Sequence, residues 1–356
     1  MDTELQPQAS VSTLSMTLGL FALGIAWRNA ALLLAFPAAI GEGILGATGL
    51  LWLFLLLRYI RQVITSTNGA ARECILQLGN PFLTLVPITT SLAAVALRPY
   101  APFPACILLL LGVAGQLLFS SYHIGGQWHG RTPAEMETPA MYMPTIGANF
   151  ASAIALGAFG YAHWGYLFFG AGFLSWMSLE SSFLHHLRAD EPLHPQKRPL
   201  LGIQLAPSFV GSSAYLSCNG GQIDAVVLGL VGYGLLNLLF MARLMTWVLR
   251  VGLSMSLWAF SFAMASMVNV GFRIWHTGFD DSFVLLEQFF TINDAMLFRK
   301  YAEMHGISMS ELVRRSVLER IEDDFDMKCY EKAMQEYRKD PKTYTLDEVE
   351  KELGLA

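Results

Sequence analysis

The stretch PAMYMPTIGANFASAIALGAFGYAHWGYLFFGAGFLSWMSLESSFL, residues 139–184, decides the fold class of this chain. It holds two apolar runs, near 139–160 and 163–184, and Glu180 is its only Asp, Glu, Lys or Arg. A run of about 20 apolar residues crosses the hydrocarbon core of a bilayer as a helix. Only helices or closed barrels satisfy the backbone polar groups in lipid, and runs this long indicate helices. The stretch therefore predicts two membrane-spanning helices.

Runs of the same kind continue in both directions along the chain. They predict nine spans, near 14–36, 40–60, 81–97, 103–123, 139–160, 163–184, 200–218, 222–242 and 254–273. The composition agrees, since 54% of the residues are hydrophobic and only 14% are charged. We therefore expect an all-α integral membrane protein.

The sequence changes character near residue 281. Lys197 is the only lysine in residues 1–281, whereas the other six lysines lie in the last 75 residues. Residues 282–356 hold 16 acidic and 11 basic side chains, so the net charge of −5 belongs wholly to them. We predict an N-terminal cytoplasmic segment (1–13), a transmembrane domain (14–281) and a soluble tail (282–356).

Lysine and arginine are unevenly divided between the two sets of predicted loops. The connections after the second, fourth, sixth and eighth spans hold nine of these residues, and the opposite connections hold only Arg28 and Arg98. Loops rich in lysine and arginine stay in the cytoplasm. The pattern therefore predicts a multi-pass protein with a cytoplasmic N-terminus.

Prolines lie in alternate predicted spans, with Pro87 in the third, Pro144 in the fifth and Pro207 in the seventh. A proline removes a backbone hydrogen bond and kinks a helix, and such breaks are tolerated beside a water-filled cavity. The alternation indicates two classes of helix, with the kinked class lining a pathway. The alternative is that proline is simply common in membrane helices.

Charged groups are scarce within the predicted spans. Glu180, and Glu42 and Asp224 near helix ends, are the main candidates for a buried charge. For Glu180 the favoured interpretation is a helix-end charge at the cytoplasmic surface, and the alternative is a buried charge. Without a chain of carboxylates, a passive path is favoured over a proton-coupled pump. No nucleophile, nucleotide-binding or metal-ligand spacing is found, and the four cysteines are scattered, so we predict neither an enzyme nor a metal or cofactor site.

Six segments carry a resemblance to a known family. They are LGLFALGIAWR (18–28), NPFLTLVPITT (80–90), TPAMYMPTIGANF (138–150), LFFGAGFLSWMSLE (167–180), LGIQLAPSFVGSSAYLSCNGG (201–221) and GYGLLNLLFMARLMTW (232–247). In this order and spacing, residues 14–278 resemble the family of the bacterial tellurite resistance protein TehA. That family also contains the guard-cell slow anion channels and dicarboxylate transporters.

The resemblance implies ten helices, arranged as five hairpins around a central pore whose inner ring is formed by the odd helices. It implies a homotrimer in the bacterial inner membrane that passively conducts inorganic or organic anions, with a link to tellurite resistance. The family's WAFSF segment falls on residues 258–262, which makes Phe262 the expected pore gate. The chain departs from the family after its ninth span, because the soluble tail begins where the tenth helix is expected.

The tail resembles RelB-type ribbon-helix-helix antitoxins over about residues 288–356. Thr345 and Glu348 have the spacing of a capping box that begins a terminal helix. The resemblance implies a strand near 287–292, a toxin partner and DNA contacts at Thr291, Asn293 and Ser308. The alternative is an ordinary helical tail.

Three hypotheses about function follow. The leading one is a passive anion channel or transporter of the inner membrane. The second, from another class, is a membrane-anchored antitoxin that binds DNA or a toxin. The third is a non-functional fusion of a truncated channel with an antitoxin.

Overall fold

The computed structural model describes residues 11–65, 80–129, 139–188, 193–250, 252 and 254–277, and in the tail residues 304, 306, 334, 338, 341 and 345–352. The chain divides into two compact units, Met1–Gly278 and Phe279–Ala356, close to the change of composition near residue 281. Every regular element within the described ranges is helical, as the apolar runs predict.

The first unit contains nine α-helices in its described residues, one for each predicted span. They are α1 (Leu14–Leu34), α2 (Ala38–Thr65), α3 (Leu85–Leu97), α4 (Pro102–Gln127), α5 (Ala148–Ala158), α6 (Ala162–Arg188), α7 (Ala206–Cys218), α8 (Ala225–Leu249) and α9 (Ala259–Thr277). Six of them, with their flanking turns, are long and apolar enough to cross a membrane: α1, α2, α4, α6, α8 and α9.

The other three, α3, α5 and α7, have only 13, 11 and 13 residues. Each is preceded by tighter or wider helical turns, namely 3₁₀ turns at Pro81–Thr84, Pro139–Met141 and Pro195–Leu205 and a π turn at Met143–Gly147. The predicted spans near 81–97, 139–160 and 200–218 are therefore composite, with regular α-helix confined to their C-terminal parts.

The three predicted proline breaks lie at the N-terminal ends of these short helices. Pro87 is the third residue of α3, Pro207 is the second residue of α7, and Pro144 lies in the π turn before α5. The first turn of a helix tolerates proline because its N–H groups have no partner within the helix. Each proline thus lies where the irregular turn passes into α-helix.

Short connections fold successive helices into hairpins. Residues 35–37, 98–101, 159–161 and 219–224 join α1 to α2, α3 to α4, α5 to α6 and α7 to α8, and the members of each pair contact one another. The turns that precede the odd helices contact one another, so the odd helices all begin at one end and run in one direction. They also contact one another in the order α1, α3, α5, α7, α9 and back to α1, which closes a ring of five. We refer to the two ends of this ring as its N-terminal and C-terminal ends.

The ring is buried and the even helices surround it. In α5 every residue from Ala148 to Leu156 is buried, whereas in α4 only Ala105, Leu109, Gly112, Gln116 and His123 are. The even helices instead expose large apolar side chains, such as Leu50, Phe54, Leu110, Leu118 and Leu239. Apolar side chains are stable against lipid, so this outer surface suits contact with a bilayer.

In the tail, one described helix spans Leu346–Glu352. Its Glu348 carboxylate accepts a hydrogen bond from the Thr345 backbone N–H at 2.9 Å, as the capping-box spacing predicts. That hydrogen bond lowers the pKa of Glu348 below its ordinary value. The expected tenth helix, the expected strand near 287–292 and the residues Thr291, Asn293 and Ser308 lie outside the described residues.

Candidate functional site

A cavity of about 100 Å³ lies at the N-terminal end of the ring. All five odd helices, or the turns that precede them, contribute to its wall. The lining residues that matter below are Ser12, Ser15, Leu85, Tyr142, Ala206, Pro207, Ala259 and Phe262. None of the described lining residues is acidic or basic, and the few polar side-chain groups are hydroxyls and the indole N–H of Trp258.

The N-terminal ends of several helices converge on this cavity. Leu85, Ala206 and Ala259 are the first residues of α3, α7 and α9, and all three line it. The N-terminal end of a helix carries a partial positive charge, because the dipoles of its peptide groups are aligned along the helix axis. Parallel helices that begin around one cavity therefore favour an anion there, without any cationic side chain.

Phe262 lies in this wall. It is the fourth residue of α9 and only 7% exposed, with its side chain in the lining of the cavity. A phenyl ring in a narrow passage fills space and excludes water. The position is compatible with the role expected of this residue.

The three prolines have different surroundings in the structure. Pro207 lines the cavity together with Phe262. Pro87 faces α4, because a Cβ on Gly115 would lie 3.5 Å from the Pro87 Cβ, and the Pro144 carbonyl accepts a hydrogen bond from Ser120 Oγ of α4 at 2.5 Å. Pro87 and Pro144 thus lie at the contact between inner and outer helices.

The interpretation of Glu180 as a surface charge is wrong. Its side chain is only 8% exposed. One carboxylate oxygen accepts hydrogen bonds from the Tyr142 hydroxyl and from Trp176 Nε1, both at 2.8 Å. The other accepts from Gln204 Nε2 at 2.7 Å and from the Tyr233 hydroxyl at 2.5 Å. Four donors satisfy the charge, which is the condition for burying a carboxylate at acceptable cost.

This carboxylate joins four separate parts of the fold. Glu180 and Trp176 lie on α6, Tyr233 on α8, Gln204 in the 3₁₀ turn before α7 and Tyr142 just before the π turn that leads to α5. Because Tyr142 also lines the cavity, only the Tyr142 side chain lies between the buried Glu180 carboxylate and the cavity. Only the spacing of Trp176 and Glu180, four residues apart, could have indicated this hydrogen bonding from the sequence. The other three donors are 24 to 53 residues from Glu180 along the chain.

Comparison with known proteins gives two family matches. The family described as Voltage-dependent anion channel matches residues 8–293, a range that includes all nine helices and the cavity. A family of unknown function (DUF6290) matches residues 290–353 of the tail. The Tellurite resistance protein TehA homolog of Haemophilus influenzae is 40% identical over 262 residues, which cover 73% of this chain and 79% of that protein.

Proposed function

Since this chain belongs to the voltage-dependent anion channel family, we propose that it conducts small inorganic or organic anions passively through the ring formed by its odd helices. The observation that carries the proposal is the uncharged cavity at the N-terminal end of the ring, on which the positive ends of helix dipoles converge. A carboxylate in such a wall would repel an anion. The one beside it, Glu180, is satisfied by four hydrogen-bond donors.

In this proposal the path is closed by Phe262. An anion enters the cavity by exchanging part of its hydration for the positive potential of the helix ends. The phenyl ring blocks further passage by volume and by excluding water. Conduction therefore requires that this ring move aside, and it requires no coupled ion.

Replacing Phe262 by alanine tests this role. We expect chloride current through the purified protein in planar bilayers to rise on the order of tenfold or more, because the obstruction is removed. Phe272→Ala is the matched control, since Phe272 is also on α9 but packs against Phe36, with 5.7 Å between ring centroids. Unchanged current in a folded Phe262→Ala protein would remove the gate assignment, and a reversal potential that follows the cation gradient would overturn the anion proposal.

We further propose an inner-membrane location with the N-terminus in the cytoplasm, which the excess of lysine and arginine in the even-to-odd connections supports. With nine spans, alkaline phosphatase fused after Ala356 would be active; a cytoplasmic fluorescent fusion that matures there would contradict nine spans with this orientation.

The homotrimer rests on the family resemblance, and native mass spectrometry of the detergent-solubilised protein tests it.

We propose a link to tellurite resistance because the Haemophilus influenzae relative is named a tellurite resistance protein homolog. We expect cells that overproduce this chain to tolerate more tellurite than cells that overproduce a folded variant without conductance. The hypotheses of a DNA- or toxin-binding tail and of a non-functional fusion stay predictions, since the family matched by the tail has no known function.

A further inference from the structure

One face of α9 is polar towards its C-terminal end. Phe262, Ser266, Asn269 and Arg273 follow one another at intervals of four, three and four residues, so their side chains lie on one side of the helix. The first three are buried, at 7%, 4% and 9% exposure. This face begins at the cavity and ends at Arg273, in the last turns of the helix.

Hydrogen bonds show that this face points between α1 and α7. The Asn29 amide of α1 donates to Asn269 Oδ1 at 2.7 Å, and Asn269 Nδ2 donates to Ser213 Oγ of α7 at 3.3 Å. On either side of the face, Phe272 packs against Phe36 in the connection that follows α1, and Val270 packs with Leu216 of α7. The line from Phe262 to Arg273 therefore faces the interior of the ring.

The Arg273 guanidinium lies against the loop that follows α7. A Cβ on Gly221 would lie 2.5 Å from Arg273 Nη1, so the end of the guanidinium lies directly beside this loop. Gly221 also has φ +82°, a conformation that other residues rarely adopt. The Nε atom of Arg273 is buried and has no hydrogen-bond partner among the described residues.

The carboxylates described at this end of the ring have other partners. Glu42 pairs with Arg28 at 2.6 Å and accepts a hydrogen bond from the Tyr100 hydroxyl at 2.8 Å. Asp224 caps α8 and accepts from the Tyr215 hydroxyl at 2.8 Å. Within the described ranges, Arg273 forms no ion pair, and it is a half-buried cation aligned with the proposed path.

We propose that Arg273 is the centre of a binding site for small inorganic anions at the C-terminal mouth of the ring, which raises the local anion concentration where the path meets solvent. A cation at the mouth of a low-dielectric passage concentrates anions there. A guanidinium also presents several N–H donors to one ion. The inference rests on the proposed function and adds a residue that sets conductance at low salt.

Single-channel recording in potassium chloride tests the site in the Phe262→Ala protein, which provides measurable current. We expect Arg273→Gln to lower the chloride conductance roughly threefold or more at about 20 mM salt, and to have little effect at about 1 M, where the Debye length falls to about 3 Å. Arg273→Lys keeps the charge but not the planar donor group, so we expect an intermediate conductance.

Arg98→Gln is the matched control. Arg98 lies at the same end of the ring, is exposed, donates to the Ala158 carbonyl and lies over the Phe159 ring at 5.3 Å. Removing this charge should leave the conductance unchanged at every salt concentration. Equal conductance of the parent and Arg273→Gln proteins at low salt would overturn the site.

Asp280 and Asp281 follow Arg273 in the sequence by seven and eight residues and lie outside the described residues. If they neutralise it, Arg273→Gln has no effect and the double variant Asp280→Asn with Asp281→Asn raises conductance at low salt, an outcome that also overturns the site. Chloride-35 NMR line broadening by the detergent-solubilised protein measures binding without conduction. A Phe262→Ala protein without chloride current contradicts the proposed function, and line broadening lost in Arg273→Gln still supports the site.

Discussion

The inner and outer helices of this protein are both apolar, yet they differ in length, burial and polarity. The inner α3 has 13 residues, and buried Thr89, Thr90 and Ser91 lie in its middle. The outer α4 has 26 residues and exposes leucines such as Leu110 and Leu118. Lipid stabilises the outer helices by contact with apolar side chains, whereas the inner helices depend on neighbours that pack closely and satisfy hydroxyl groups. Apolar content therefore identifies both inner and outer helices as membrane helices, but it does not tell one class from the other.

Removing the Glu180 carboxylate is the strongest way to break the connection between the two classes. Glu180→Ala leaves the hydroxyls of Tyr142 and Tyr233 and the Trp176 and Gln204 N–H groups without their acceptor. Each buried donor without a partner costs about 1–3 kcal/mol. We expect little folded protein, measured as the monodisperse peak in size-exclusion chromatography after heating in detergent.

Two further variants serve as a control and as an intermediate case for Glu180→Ala. Arg243→Ala removes an exposed charge from outer helix α8, and we expect its melting temperature to match that of the parent. Glu180→Gln keeps one acceptor but turns an amide N–H₂ towards donors, so it should melt between the parent and Glu180→Ala. A Glu180→Ala protein as stable as Arg243→Ala would show that the carboxylate does not hold inner and outer helices together.

A pair of glycine substitutions sharpens the comparison. A Cβ at Gly157 of inner helix α5 would overlap the Ser217 backbone of α7, whereas a Cβ at Gly232 of outer helix α8 meets no heavy atom within 4 Å. Overpacking costs about 1–3 kcal/mol, and alanine is favoured over glycine in an exposed helix by up to about 1 kcal/mol. We expect Gly157→Ala to lower the melting temperature and Gly232→Ala to keep or raise it. If both substitutions change the melting temperature in the same direction, the distinction between closely packed inner helices and open outer helices is wrong.

The smallest expected effect concerns the junction of inner helix α7 with outer helix α8. Asp224 caps α8 through the N–H groups of Val226 and Val227, at 3.0 and 3.1 Å, and accepts from Tyr215 of α7. Replacing such a cap by alanine costs about 1 kcal/mol, whereas asparagine is a comparable cap. Thermal melting should rank the parent first, then Asp224→Asn, then Asp224→Ala.

The pH dependence of the same residue has a definite sign. Burial raises the pKa of Asp224, but hydrogen bonds from Tyr215 and from the Val227 and Val226 amides outweigh it and leave the pKa below its ordinary value. Its contribution to stability is therefore complete above the unfolded pKa of about 3.9 and is lost as pH falls through the lower folded value. We expect the parent to lose its stability advantage over Asp224→Asn below about pH 4. A difference in melting temperature between the parent and Asp224→Asn that stays constant from pH 3 to pH 7 would contradict the lowered pKa of Asp224.

Much of the fold is predictable from the chain because its signals are local. Nine apolar runs predict the nine helices, and the prolines at positions 87, 144 and 207 mark the three short helices, α3, α5 and α7. Phe262 was identified from a family segment, and the structure places it in the cavity wall. The error over Glu180 has an equally local cause: it lies near the end of a predicted span, and its sequence neighbours do not reveal the donors from α8 and from the turns before α5 and α7.

The sequence by itself determined that this is a helical membrane protein of the voltage-dependent anion channel family, since hydropathy, proline spacing and long motifs are read along the chain. Only the tertiary structure decided that contacts between the odd helices close the ring and that Glu180 is buried among four donors. It also decided that the face of α9 with Phe262 and Asn269 turns towards α1 and α7, and that Arg273 forms no ion pair in the described residues. The physical reason is that lipid and protein interior accept the same apolar side chains. Which surface a helix turns inward, and which polar groups meet there, depends on partners far away in the sequence.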